Sequence, residues 1–171
     1  MSKQLIIVRH GKSDHGTYGI TDFERPLNVR GNENAPEMAA RLKNREILPD
    51  LLVSSPAKRA LSTAKHFAAG FGISAAAIQE EQAIYEADSS TLLNAINRFD
   101  NKYNRIFLFG HNPGLTDLLN YLTDANLYNL PTAGIAVIDF PSNDWTLVSQ
   151  YTGNLLLFDF PKNQTPKNEG V

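Results

Sequence analysis

The stretch Leu5-Ile6-Ile7-Val8-Arg9-His10-Gly11-Lys12-Ser13 decides the fold. Four successive apolar residues, three of them β-branched, read as a strand covered on both faces, as in the middle of a parallel sheet. The run stops abruptly in a cation, an imidazole and a glycine. Open α/β sheets bind ligands beyond the carboxyl ends of their strands, so this polar tip is where chemistry is expected. His10 is a candidate nucleophile or base beside a phosphate. Gly11 lets the backbone approach a ligand, and the N–H groups after it can point at an anion. A histidine that merely ends a strand and bonds a neighbour explains the same residue, so the remaining motifs have to decide.

Two more strands end in the same way. Arg105-Ile106-Phe107-Leu108-Phe109 is a second buried run, and it stops at Gly110-His111-Asn112-Pro113-Gly114. Asn112-Pro113 opens a helix that turns Leu115, Leu118, Leu119 and Leu122 inward, and such a helix start favours anions. Leu51-Leu52-Val53-Ser54 is a shorter strand. Ser55 is the expected cap and Pro56 the first turn of the helix after it, which carries Ala60, Leu61, Ala64 and Phe67 inward and stops at Gly70. Arg59 lies on its first turn, where its planar fork can join Arg9 around a phosphate.

The other elements follow from period and punctuation. Asn28 caps a helix with the stripe Ala35, Met38, Ala39 and Leu42; Gly31 weakens its start, and Pro36 moves that start towards Glu33 or bends it. Residues 78–83 form a further strand. Ser89 or Ser90 caps a helix that buries Leu92, Leu93 and Ile96. The last third is β-rich: 135–140 and 145–151 read as an antiparallel pair joined by Pro141-Ser142-Asn143-Asp144, with 154–160 as a short edge segment. The sum predicts an α/β fold, a three-layer α/β/α sandwich with a mostly parallel central sheet and an antiparallel edge. Residues 1–160 form one domain, and 161–171 a polar, mobile tail.

Composition removes several functions. Among 171 residues there is no cysteine, so disulfides, thiolate nucleophiles and cysteine-held metals are excluded. The four histidines have no metal-helix spacing, and no metal or other cofactor is expected. A net charge of −2 without a basic run argues against nucleic acid or membrane as partner. The apolar run before Arg9 is too short for a signal peptide or a span, so the expected location is the cytoplasm.

The Arg9-His10-Gly11 tip resembles the signature of the histidine phosphatase superfamily, whose fold is phosphoglycerate-mutase-like. Ser54-Ser55-Pro56-Ala57-Lys58-Arg59-Ala60 with Thr63-Ala64 resembles its second motif, and Gly110-His111-Asn112-Pro113-Gly114 its second-histidine motif. Asp22-Phe23-Glu24-Arg25-Pro26-Leu27 with Gly31, and Pro131-Thr132-Ala133, are similar to the SixA-type phosphohistidine phosphatases. The resemblance runs to about Phe160. It implies a metal-independent phosphatase in which neutral His10 attacks phosphorus and is transiently phosphorylated, its other ring nitrogen donating to a backbone carbonyl. Arg9, Gly11, Arg59, protonated His111 and Asn112 would surround the phosphoryl oxygens. Arg25 is expected in a structural ion pair, with Lys12 and His15 flanking the entrance, either as substrate contacts or as ordinary surface residues. The pocket is expected to be shallow and open.

The chain departs from the larger mutase pattern in two places. Gly16 stands where that pattern has Asn, and the acid/base Glu has no clear counterpart, although Glu86 and Asp88 fall in the right interval. Glu86 is therefore a possible general acid, equally well explained as a solvated loop carboxylate. An alkyl phosphate ester needs such an acid; a phosphoramidate such as phosphohistidine does not. Three readings stand: a phosphatase for phosphohistidine in a phosphorelay or phosphotransfer protein, a phosphatase for small phosphate esters, and a module that binds phosphorylated ligands without turnover. Inorganic phosphate is the product of the first two.

Overall fold

β1 (Lys3–Arg9) lies in the sheet interior between two unlike neighbours, parallel to β4 (Arg105–Gly110) and antiparallel to β5 (Ile135–Phe140). The computed structural model describes residues 2–15 and 18–163. Gly16 and residues 164–171, most of the expected tail, lie outside them. With β2 (Leu51–Ser54), β3 (Gln79–Glu80) and β6 (Asn154–Asp159), the sheet has the order β3-β2-β4-β1-β5-β6. The four strands from β3 to β1 are parallel, and β5 and β6 form the antiparallel edge.

Alternating strand residues build two cores. Ile6, Val8, Leu52, Phe107 and Phe109 face α1 (Val29–Asn44) and α2 (Lys58–Phe71). Leu5, Ile7, Val53, Ile106 and Leu108 face α3 (Ser89–Asn97) and α4 (Gly114–Leu122). This is the three-layer sandwich. The segments leaving the adjacent strands β1 and β4 go to opposite faces, which opens a crevice at their carboxyl ends. Lys3 anchors the other end of β1: its buried ammonium donates to Asn101 O (2.6 Å), Tyr103 O (3.2 Å) and Asn104 Oδ1 (2.9 Å).

Several boundaries differ from the sequence expectation. α1 starts at Val29, because Asn28 Oδ1 accepts from Gly31 N at 2.9 Å; Pro36 sits on its exposed side, while Ala35, Met38, Ala39 and Leu42 hold the buried face continuous. Gly31 is required there, since a Cβ would lie 2.2 Å from Lys12 O. α2 runs through Gly70, whose missing side chain admits Ala39 of α1, and stops at Gly72 with φ +72°. Its cap position is Ala57, which makes no side-chain cap bond; Ser55 Oγ, just before it in the chain, accepts from Ala57 N. Asp88, not Ser89 or Ser90, caps α3 through Thr91 N (2.9 Å).

The expected strand at 78–83 shrinks to β3, followed by a 3-10 turn, Gln82–Ile84, that buries Ile84. Residues 145–151 form no strand. Trp145–Leu147 is a 3-10 turn capped by Asp144 Oδ1, and Asn97 Nδ2 donates to Trp145 O (2.8 Å) and Val148 O (3.0 Å), so side chains satisfy carbonyls that a ladder would have used. β6 pairs with β5 instead. No helix among the described residues is long and apolar enough to cross a membrane.

Candidate active site

The register Arg9↔Gly110 places the two histidine-bearing tips side by side, and His10 N donates to Gly110 O at 3.1 Å. The rings of His10 and His111 are 5.3 Å apart between centroids. Arg59, on the first turn of α2, reaches the same point and donates from Nε to His10 Nε2 at 3.3 Å. Arg9 donates from Nη1 to Leu130 O (2.9 Å). These four side chains line a cavity of about 390 Å³, together with Asn112, Thr132 and, at the rim, Lys12, His15 and Arg25. His15 is exposed and Lys12 half-buried.

His10 Nδ1 sits 2.7 Å from Gly11 O. That carbonyl can only accept, so Nδ1 carries the proton and Nε2 keeps its lone pair. Burial, aided by the charges of His111, Arg59 and Arg9 and opposed by the Gly11 carbonyl, pushes the His10 pKa down to about 3, so the ring is neutral near pH 7. His111 Nε2 is 2.8 Å from Ser55 Oγ, which also accepts from Ala57 N (3.2 Å). Burial and then Arg59 push the His111 pKa down to about 4, against the opposing charge of Asp22. Without a bound anion His111 is therefore neutral near pH 7. Burial likewise lowers the Arg9 pKa. Arg9 Nε and His111 Nδ1 are buried without a hydrogen-bond partner among the described residues, unfilled capacity in a native site.

Gly11 shapes the loop and does not offer its N–H to the cavity. That N–H donates to Thr63 Oγ1 at 3.0 Å, and a Cβ on Gly11 would meet Gly31 Cα and O at 3.1 Å. Asn112 lines the cavity, but its side chain is spent: Oδ1 accepts from Thr116 N and Oγ1, and Nδ2 donates to Asn129 Oδ1 and Leu130 O. Glu86 is exposed, has φ 55° and is not among the lining residues. Asp88 is spent as the cap of α3.

Sequence reasoning missed Asp22 and Tyr85. Lys58 N donates to Phe23 O (2.9 Å), docking the Asp22–Leu27 block on the start of α2. Asp22 then accepts from Arg59 Nη2 (3.1 Å), Arg25 Nη2 (3.0 Å) and Tyr85 Oη (2.6 Å), while its carbonyl takes Arg59 Nη1 (2.6 Å). The Tyr85 hydroxyl first, then Arg25 and Arg59, hold this carboxyl far below the usual range. Asp22 in turn pushes Tyr85 up to about 12. Arg25, which also donates to Ser13 Oγ, thus has a structural ion pair at the rim. The adjacency of Asp22 to the Arg25-Pro26 block was the available signal; nothing local marks Tyr85. No group of three or more His, Cys, Asp or Glu among the described residues is placed to hold a metal ion.

The family model of the histidine phosphatase superfamily (branch 1) matches residues 5–92. An uncharacterized protein of Mycobacterium tuberculosis is 31% identical over 165 residues, spanning 91% of this chain and 100% of its own. A crystal structure assigned as the phosphohistidine phosphatase SixA of Agrobacterium tumefaciens has TM-score 0.79 at 28% identity, covering 94% of this chain and 99% of that one. The protein histidine phosphatase SixA complexed with tungstate shares the fold, with TM-score 0.77, 19% identity and coverage of 92% and 97%. The matched residues include the Arg9-His10-Gly11 tip and Arg59, which the fold brings onto one nitrogen of His10; the chain belongs to the histidine phosphatase superfamily.

Proposed function

We propose that this chain is a phosphatase that removes the phosphoryl group from a phosphohistidine of a phosphotransfer protein, without a metal and through a phosphorylated His10. The reading is carried by His10: Nδ1–H is spent on Gly11 O, and burial keeps the ring neutral, so Nε2 is the nucleophile. Arg59 Nε–H donates to that lone pair. A phosphoryl oxygen, being charged, is the stronger acceptor and draws the guanidinium off Nε2 as the donor binds. Nε2 then attacks phosphorus in line, the donor's N–P bond breaks, and its imidazole nitrogen takes a proton from water. A second water attacks the phosphorylated His10, giving inorganic phosphate and free His10.

Arg9, Arg59 and a His111 that becomes protonated beside the dianion stabilise the transferred oxygens, which supplies most of what phosphoryl transfer needs. The preference for a nitrogen leaving group rests on the lining. Among the described residues it contains no carboxyl group, and Asp22, paired with the lining residues Arg25 and Arg59, is held ionised. An alkoxide leaving group therefore lacks a carboxylic acid to protonate it.

The test is phosphate release from a phosphohistidine-bearing phosphotransfer domain and from a panel of phosphate esters, for wild type, His10→Ala and Glu86→Gln. Fast release from the domain, slow ester turnover, a dead His10→Ala and an unchanged Glu86→Gln are expected. Efficient ester hydrolysis that falls in Glu86→Gln overturns the proposal in favour of a small-molecule phosphatase. Phosphate binding with no release from any donor reduces the chain to a binding module.

A further inference from the structure

A second cavity, of about 450 Å³, shares a wall with the first: Lys12 and Thr132 line both. Its other walls are the start of α1 (Arg30, Glu33) and the chain leaving β6 (Phe160, Lys162). The β6 side is fixed in place by Arg41, which donates to Asp159 Oδ1 (3.2 Å), Phe160 O (2.9 Å) and Pro161 O (3.0 Å). Arg41 also pairs with Glu37, a carboxylate lining the cavity, at 2.7 Å, so its one charge is shared between Glu37 and Asp159. Lys12, Arg30 and Lys162 have no ion pair among the described residues. Lys12, Arg30 and Lys162 thus outnumber the lining carboxylates, Glu33 and the partly compensated Glu37, next to the His10 pocket.

A donor whose phosphorus sits at His10 must send the rest of its body into solvent or across Lys12 and Thr132. The charge balance favours an anion there, and the Phe160 ring offers an apolar surface for the stem that carries it. Arg30 and Lys162 are exposed, so the two cavities lie open side by side, which suits a convex protein surface laid across both. We infer that this cavity receives an acidic side chain flanking the phosphohistidine of the donor protein, so that the donor is held at two points. This rests on the phosphohistidine reading of the His10 pocket.

The test is the double variant Arg30→Glu/Lys162→Glu. Neither residue lines the His10 cavity, and Arg30 is in the first turn of α1, where a carboxylate suits the helix dipole. Two donors are compared at low salt: a phosphohistidine-bearing phosphotransfer domain with acidic residues beside the phosphohistidine, and phosphoramidate, which has the N–P bond and no body. For the domain, kcat/KM falls about tenfold, mainly through KM, and Arg30→Lys/Lys162→Arg restores it. For phosphoramidate it changes less than about twofold, and added salt closes the gap between wild type and variant for the domain. An equal loss on both donors, or none on the domain, overturns the inference. With a small phosphate bearing a carboxylate as a third donor, a loss confined to that donor also overturns it, since the cavity would then serve a metabolite. A wild-type protein that leaves the phosphorylated domain intact refutes the parent reading, a result none of the variant comparisons can produce.

Discussion

Acidification from pH 7 to pH 5 weakens this fold through two histidines. His10 and His111 are 7% and 8% exposed, and their folded-state pKa values lie at about 3 and about 4, below the ordinary 6.5. Across this interval the unfolded chain binds protons that the folded chain refuses, so stability rises with pH and is lost as pH falls below 6.5. At pH 5 each histidine is about 1.5 units below its unfolded pKa and still neutral in the fold, which costs about 2 kcal/mol apiece. The pair together removes about 4 kcal/mol, a large share of a typical 5–15 kcal/mol. The assay is urea unfolding followed by Trp145 fluorescence at half-unit pH steps. His111→Gln halves the slope, and orthovanadate reduces it in the wild type, because the bound oxyanion lets His111 keep its proton. A stability that stays level between pH 7 and pH 5, or an equal slope in the His111→Gln variant, refutes the reasoning.

Gly31→Ala forces a Cβ to within 2.2 Å of Lys12 O and displaces the loop that carries Gly11 O; denaturant unfolding is expected to show a loss of about 2–4 kcal/mol, with phosphate release falling more than tenfold. Ser55→Ala leaves His111 Nε2 and Ala57 N without their partner, costing about 1–3 kcal/mol and lowering kcat; full stability in unfolding curves would show that the hydroxyl is dispensable. Tyr85→Phe removes the main cause of the low Asp22 pKa, so the Asp22 carboxyl resonance titrates at higher pH in carbon NMR than in wild type, and an unmoved titration would contradict the 2.6 Å bond.

Much of the architecture is written in local patterns. The runs 5–8 and 106–109 are apolar without alternation, as in strands covered on both faces, and each stops at a glycine-flanked histidine. What failed were choices between local competitors. Ser55, Ser89 and Ser90 suit a cap in sequence, yet Ser55 lies two residues before the cap position of α2 and Asp88 takes Thr91 N at the start of α3. Residues 145–151 suit a strand, until Asn97 from α3 takes the carbonyls of Trp145 and Val148.

The site divides in the same way. The sequence by itself determined that Arg9, His10, Arg59 and His111 stand at strand tips and helix starts, because strand ends and caps are encoded within a few residues. Only the tertiary structure decided that Arg59 Nε meets His10 Nε2, that Asp22 and Tyr85 close the arginine side, and that Glu86 is exposed and does not line the His10 cavity. Those contacts join residues 37 to 63 positions apart, and their geometry follows from the β1–β4 register and the docking of one loop on α2, neither of which leaves a periodic trace in the chain.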